Sequence, residues 1–475
     1  MKNLSAFLPA ALLLATPALA QNELSNFSAT GRGGVINTFA VGYQAIGINP
    51  ANLGRPDGAR VAFTIGEVGV GVGSQSLTRT QFDKLLFHNG DPLSAAERTE
   101  LVNGLTSDNT LNFNADVTAL ALSVRLPGGF GGLAFSAHQR LNGRFAFNSN
   151  GADIVVNGRR AAIIQQYYDA AGNPRSGSTP PALSAALDGT VLQLAATNEY
   201  NVSYGKEIIR LPGVLKLTVG VGYRYLQGVG VADARFSGSG GLTAYTALSP
   251  VFGFSYSPSL QGNPSFNYQN GGELQPVGTG NGFDLGLAAE IGKVVRVGAS
   301  VTDLGSMTWK GNLLTVNDQQ LRYPQYDGTQ DYNVIQGIID QFANDTKSLF
   351  TYQPERAYKA QLPAKLRLGG GVRISEYFEA GLDVTVPLNQ VAGNLPSTFV
   401  GAGLDYKPVR WLRLSSGLSG GAGYRASLPL GLTVVTSVWE AGLSTRDVTG
   451  YFSDKSPYVS AAVGILRFKI GAGTE

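Results

Sequence analysis

Alternation constrains this chain more than any other feature. In the run from Val214 to Tyr225, Leu215, Leu217, Val219, Val221, Tyr223 and Tyr225 fall on one side. Lys216, Thr218, Gly220, Gly222 and Arg224 fall on the other. A period of two is the signature of a strand, because successive side chains leave the backbone on opposite faces. The pattern returns with Leu285, Leu287, Ala289 and Ile291 against Gly286, Ala288 and Glu290, and with Val295, Val297, Ala299 and Val301 against Arg296, Gly298 and Ser300. Further on, Leu366, Leu368 and Val372 oppose Lys365, Arg367, Gly369 and Arg373. Phe378, Ala380, Leu382, Val384 and Val386 oppose Glu379, Gly381, Asp383 and Thr385, and Val400, Ala402, Leu404 and Tyr406 oppose Gly401, Gly403, Asp405 and Lys407.

Alternation alone also fits a soluble sandwich. Three features favour a membrane barrel. The stretches run about 9–14 residues, longer than the usual five or six and close to the length of a membrane strand. Their polar face is rich in glycine and single charges, which suits a lumen. The connections alternate between short and long, as in barrels with short periplasmic turns and long outer loops. Short ones fall at Arg125 to Gly129, Arg210 to Gly213, Ile291 to Lys293, Ile374 to Glu376 and Lys407-Pro408, and long ones near 75–112, 141–190, 230–281 and 307–360. Candidate strands lie near 59–74, 114–126, 130–140, 193–209, 214–229, 282–291, 294–306, 361–374, 376–386, 397–407, 409–418, 423–434, 436–446 and 457–469. The count is about fourteen, an even number, as single-chain bacterial barrels have. The reading is therefore all-β: a transmembrane antiparallel β-barrel at 59–475. Leu428 to Gly431 could itself be a turn, and Tyr377, Phe378, Tyr406, Trp411 and Trp439 are expected near strand ends, in an aromatic girdle.

Residues 1–20 read as an export signal: Lys2, an apolar core from Ala6 to Ala15, and Ala18-Leu19-Ala20 before the cleavage point. The expected location is the outer membrane, with outer-membrane lipid as surroundings. Beyond this segment nothing approaches the ~20 consecutive apolar residues of a spanning helix. Residues 21–58 hold no long strand; they are small, glycine-rich and lightly apolar, and are read as an N-terminal plug inside the lumen. In the loops, Ser94 and Glu97 form a capping box for a helix carrying Leu101, Val102 and Leu105, and 333–350 reads as a second amphipathic helix. Both are expected to cover the outer mouth.

Composition excludes several functions. With 36 Lys and Arg against 33 Asp and Glu, the net charge of +3 gives no reason to expect a nucleic-acid partner. Cysteine is absent, which removes disulfides, thiolate catalysis and Cys-based metal sites. Two histidines, His88 and His138, cannot build a histidine-rich metal centre. No cofactor or metal is expected. Gly129 to Ala134 fits GxGxxA on paper, but alternating strand follows it and no helix, so no phosphate cradle forms. His138 lies near Ser136, yet a polar lumen or rim histidine is the simpler reading, and the chain is read as a non-enzyme. On the lumen face, Glu290, Asp303 and Asp383 are expected beside Arg296, Arg367 and Arg373, as a stabilising charge ladder or a selectivity constriction.

At Ala29 to Gly34, followed by Gly47 to Gly54, the sequence resembles the long-chain fatty acid transporter family, FadL/TodX. That family opens with a small-residue segment carrying an Asn-Pro-Ala motif in an N-terminal hatch; here the match is Asn49-Pro50-Ala51. The resemblance implies a fourteen-stranded barrel, a hydrophobic or amphipathic small-molecule ligand, and a hatch moving around Asn49, Pro50 and Ala51. A lateral opening is expected at Gly131, Gly132 and Gly143, since glycine weakens a strand interior. Asp284 to Asn312 also looks like FadL-like and PorV-like barrels of Bacteroidota. The PorV-like alternative implies a non-enzymatic subunit of a secretion or surface-attachment complex, with a protein partner at the extracellular loops.

Overall fold

The computed structural model describes residues 26–55, 59–106, 110–252, 274–334 and 349–472. Fourteen antiparallel strands form the wall: β1 Ala59–Ser74, β2 Thr110–Arg125, β3 Gly132–Ala146, β4 Val191–Leu211, β5 Leu215–Ser237, β6 Gly278–Ile291, β7 Val295–Trp309, β8 Lys365–Arg373, β9 Phe378–Pro387, β10 Phe399–Val409, β11 Leu412–Gly421, β12 Leu430–Val435, β13 Trp439–Thr445 and β14 Tyr458–Ala472. Each pairs with the next, and β1 pairs with β14 from Val61↔Ile470 to Gly73↔Tyr458, so the sheet closes without an edge.

The wall stands in register with the alternation. Leu382 is 51% exposed while its neighbour Asp383 is 5% exposed. Val221, Leu285, Val297, Leu368, Leu404 and Leu432 turn outward in the same way. Leaving such an apolar belt in water would forfeit about 25 cal/mol for each Å². Belts of this size mark a surface that meets something apolar, and around a closed barrel that is the hydrocarbon of a bilayer. Phe130, Tyr377, Phe378 and Trp411 are exposed at the short-turn end. No helix among the described residues is long and apolar enough to cross a membrane.

One end carries turns of two to six residues, such as 410–411 and 126–131; the other carries the long connections. The wall is taller on one side. Its longest hairpin has strands of 21 and 23 residues, β4 and β5, whereas β12 and β13 have six and seven. The extra height supports a ribbon: Gly241–Leu248 pairs with the end of β5 and with Leu313–Val316, which pairs with Tyr352–Pro354. Between Ser427 and Leu430 the wall is interrupted at Leu428-Pro429, where proline lacks the N–H a ladder needs.

The long connections fold over the mouth opposite the short turns. Ser94 caps the helix Ala95–Leu105 with a complete capping box to Glu97, and Thr78 caps Arg79–Phe87 in the same way with Gln81. Leu77, Phe82, Leu101, Leu105, Ile154, Ile164, Leu321 and Phe350 come from three connections and bury one another. The loops look polar in sequence because these apolar residues are scattered among polar ones; in the fold they face inward. Most of the expected helix at 333–350, and the whole of 1–20, lie outside the described residues.

Candidate functional site

The segment Asn26–Arg55 lies inside the barrel. It is built of short helical turns, Phe27–Gly31, Gly42–Ala45 and Pro50–Gly54. Asn49 starts the last of these: its Oδ1 accepts from Ala51 N at 3.1 Å, and Pro50 occupies the position where a missing N–H costs nothing. Asn49 is fully buried, and its Nδ2 donates to Asn37 Oδ1 (2.9 Å) and to the β6 carbonyl of Leu287 (3.1 Å). The wall makes room with glycine. A Cβ at Gly220 or Gly286 would overlap the Asn49-Pro50-Ala51 turn, and a Cβ at Gly442 would overlap the Phe27 ring. The glycines on the polar face are thus the contact surface of the plug.

Polar tethers hold the plug around the circumference. Arg32 pairs with Asp405 at 2.8 Å. Asp383 Oδ2 accepts from Ile36 N and Asn37 N, each at 2.6 Å. Tyr43 donates to Glu67 (2.6 Å) and accepts from Arg467 Nε (2.7 Å). Ser444 donates to the Phe27 carbonyl at 2.6 Å. Charged groups withdrawn from water in this way hold geometry only while both partners are present.

A second network crosses the lumen above the plug. Arg224, 1% exposed, pairs with Glu199 (3.1 Å), Asp284 (2.8 Å) and Asp303 (2.7 Å). Arg140 pairs with Glu199 (3.0 Å) and Asp116 (3.4 Å). His138 Nδ1 is 3.1 Å from Thr118 Oγ1 and 3.4 Å from Asp116 Oδ1, whereas Ser136 accepts from Asn201. His138 is therefore part of the charge network and forms no pair with Ser136.

The six expected lumen charges separate into three places. Glu290, paired with Lys216 at 2.8 Å, faces Arg296 across β6 and β7 near the short-turn end. Arg373 pairs with Glu379 at 2.8 Å at the same level. Arg367 and Asp383 lie deeper, on neighbouring strands, with Asp383 bound to plug backbone. Asp303 stands apart from the three arginines expected beside it. Its φ of 61° and the register shift opposite Phe283 and Leu285 turn both Thr302 and Asp303 inward, to Arg224.

The expected lateral opening is absent among the described residues. β3 pairs with β4 from Gly132↔Gly205 to Ala146↔Val191 without a break, and with β2 along its whole length with one register shift. Gly132 lies under the Leu53 carbonyl and Gly143 under the Phe113 ring, and Gly131 takes φ +85° in the turn. These glycines serve close packing and a turn.

Three spaces follow one another through the lumen. The upper one has an apolar wall of Leu226, Val231, Tyr245, Met307, Trp309 and Leu362 and a polar wall of Arg140, Asn142, Thr197 and Glu199. The middle one lies between Ile36, Tyr43 and Ile48 of the plug and the charge network. Arg140 and Glu199 line both, so this ion pair is the partition. The lowest is lined by Thr38, Asn52, Arg55, Lys216, Glu290 and Arg296. Among the described residues no cluster of three acidic or histidine side chains could hold a metal.

Sequence reasoning missed Arg32, Tyr43, Glu67, Asp405 and Arg467 as plug tethers, Glu199 and Asp284 as partners of Arg224, and Arg140 as a second partner of Glu199. The wall residues among them share one signal, a charge on a strand, whereas Arg32 and Tyr43 lie in the plug and carry none.

The family model DUF5723, described as a family of unknown function, matches residues 50–438. No curated protein matches the chain. Among solved structures, the Ralstonia pickettii toluene transporter TbuX is 12% identical, with 95% of this chain and 100% of that one covered and a TM-score of 0.44. The P. putida toluene transporter TodX is 12% identical (96% and 100% covered, TM-score 0.41), and a Pseudomonas aeruginosa FadL homologue 11% identical (96% and 100%, TM-score 0.42).

Proposed function

The chain belongs to the DUF5723 family, a family of unknown function, and we propose that it is an outer-membrane channel passing hydrophobic or amphipathic small molecules. The observation that carries this reading is the divided lumen: a half-apolar chamber beneath the loop cap, a charged partition, and a plug tethered below. A pore for ions or sugars needs an open aqueous lumen. A scaffold has no use for an apolar chamber inside a plugged barrel.

In this reading the ligand sits against Tyr245, Met307 and Trp309, which remove its apolar surface from water at about 25 cal/mol per Å². The Arg140–Glu199 pair keeps ions from following. Passage requires the plug to yield around Asn49-Pro50-Ala51, the segment that touches wall glycine with few side chains to unpack. Glu290, Arg296 and Arg373 then line the way out, and Arg367 and Asp383 hold the plug in its resting place.

Gentle extraction from native membranes, followed by mass spectrometry of everything that co-purifies, tests the reading. A bound apolar or amphipathic small molecule without a stoichiometric protein is the expected result. A stoichiometric protein partner and an empty lumen would overturn it in favour of a subunit of a secretion or attachment complex.

A further inference from the structure

Lys206 differs from the cations around it at the short-turn end. Lys216, Arg373 and Arg467 turn into the lumen and meet carboxylates. Lys206 stands on the other row of β4, which carries exposed Tyr200 and Val202 and then Tyr204. Its neighbour Gly205 lies against the Pro50 carbonyl of the plug, so Lys206 points away from the lumen. Among the described residues its ammonium meets no carboxylate. It lies 5.8 Å from the centroid of the Phe130 ring, which is exposed in the 126–131 turn. The Tyr204 hydroxyl donates to the Phe130 carbonyl at 2.7 Å and holds that turn against β4.

The rim has a step at this point. β3 ends its pairing with β4 at Gly132↔Gly205, and β4 continues to Leu211 with β5 as its only partner among the described residues. The backbone of 206–211 is therefore an open edge on the side of the 126–131 turn. Beyond Lys206 the hairpin exposes Ile208, Ile209, Leu211 and Val214, and on the other side of Lys206 the wall exposes Leu133, Phe135 and Val202. Apolar surface continuous with the bilayer-facing belt thus brackets Lys206 from both directions.

An ammonium in such surroundings is costly unless an anion meets it. The adjacent acid, Glu207, is taken by Arg210. The anion that a bilayer itself brings to this depth is the phosphate of a lipid, and an open strand edge offers it unpaired N–H groups. We propose that the step holds the headgroup of an anionic phospholipid from the leaflet at the short-turn end. The phosphate lies between Lys206 and the open edge of β4, with the Phe130 ring beside it. The acyl chains run up the wall along Leu133, Phe135 and Val202. The site is on the outer surface of the barrel and is independent of what the lumen passes.

The test is native mass spectrometry of the full chain in a non-ionic detergent, after incubation with equal amounts of dioleoyl-phosphatidylglycerol and dioleoyl-phosphatidylcholine. The two lipids share their chains, but the choline cation cancels the phosphate charge and the glycerol headgroup does not. Phosphatidylglycerol is expected to be retained about fivefold over phosphatidylcholine, the gain one basic residue makes at an anionic lipid. Lys206→Gln should bring the two lipids to parity, and Lys206→Arg should keep the preference. Lys293→Gln, in another short turn, should leave it unchanged. Heat-modifiable migration on gels verifies that each variant is folded. Equal retention of the two lipids by the native chain, or a preference that survives Lys206→Gln, would overturn the proposal. So would an equal loss in Lys293→Gln, which would make the preference a property of the overall charge.

Discussion

At the scale of single residues, the lumen depends on groups with no substitute. Gly220 and Gly286 let the Asn49-Pro50-Ala51 turn touch the wall. Valine suits a strand well, so Gly286→Val should fold as a barrel while its side chain pushes the turn away. The expected outcome is a raised conductance in planar bilayers, and an unchanged conductance would show that the plug does not seal there. Arg224 compensates Glu199, Asp284 and Asp303 together. Arg224→Met would strand buried Asp284 and Asp303 and leave Glu199 with Arg140 alone, and removing one partner of such a pair costs about 3–5 kcal/mol. The variant should lose its heat-modifiable form at a clearly lower temperature than the native chain. Much of this was hidden in the sequence. Arg224 could be assigned to the polar face, but its partners depend on the register of strands 25 to 79 residues away in the chain. Asp303 faces the lumen only because a bulge breaks the alternation that would have turned it outward. Gly132 and Gly143 illustrate the opposite error. Glycine within a strand marks either a weakness or a close approach, and only the contacts of Leu53 and Phe113 show that here it is the second.

At the scale of elements, the strands were legible because one face meets apolar surroundings and the other polar ones. The first strand agrees in both bounds, 59–74, and most others within a few residues. The ribbon of Gly241–Leu248 and Leu313–Val316 was not legible, because its residues are buried on the cap side and carry no simple alternation. The cap helices were partly legible through Ser94 and Glu97. Their contact with the rest of the cap has a pH signature. Hydrogen bonds from Lys84 first, then Ser94 and Tyr332, hold the Glu97 carboxyl down at about 2. A carboxyl depressed in the folded state stabilises above its ordinary value of about 4.5, and that contribution fades as pH falls towards about 2. Hydrogen-exchange protection of Ala95–Leu105, corrected for the intrinsic rate, should therefore be constant above pH 4.5 and decline between 4.5 and 2. In Glu97→Gln it should be flat and lower at neutral pH. A decline that persists in the Gln variant would assign the effect to another group.

At the scale of the whole molecule, the barrel combines two opposed designs. Its wall is a closed cylinder in which each strand pairs with the next, interrupted among the described residues at Leu428-Pro429, so most of it has little freedom to open sideways. The plug is made of short turns held by individual polar contacts, each of which can be exchanged for water. Any movement that admits a ligand belongs to the plug and the cap. A plug that must move can be stopped. The chain has no cysteine, so a disulfide can be introduced without competition. Thr38 on the plug and Gly371 on β8 are well placed, because a Cβ at Gly371 would lie 3.5 Å from Thr38 Cβ, within the range a disulfide spans. The decisive measurement is uptake of the hydrophobic dye N-phenyl-1-naphthylamine by cells carrying the Thr38→Cys/Gly371→Cys barrel, oxidised and then reduced. The account predicts uptake at the level of barrel-free cells when oxidised and recovery to the native rate on reduction. Equal uptake in both states, with the disulfide verified by mass spectrometry, would contradict a moving plug.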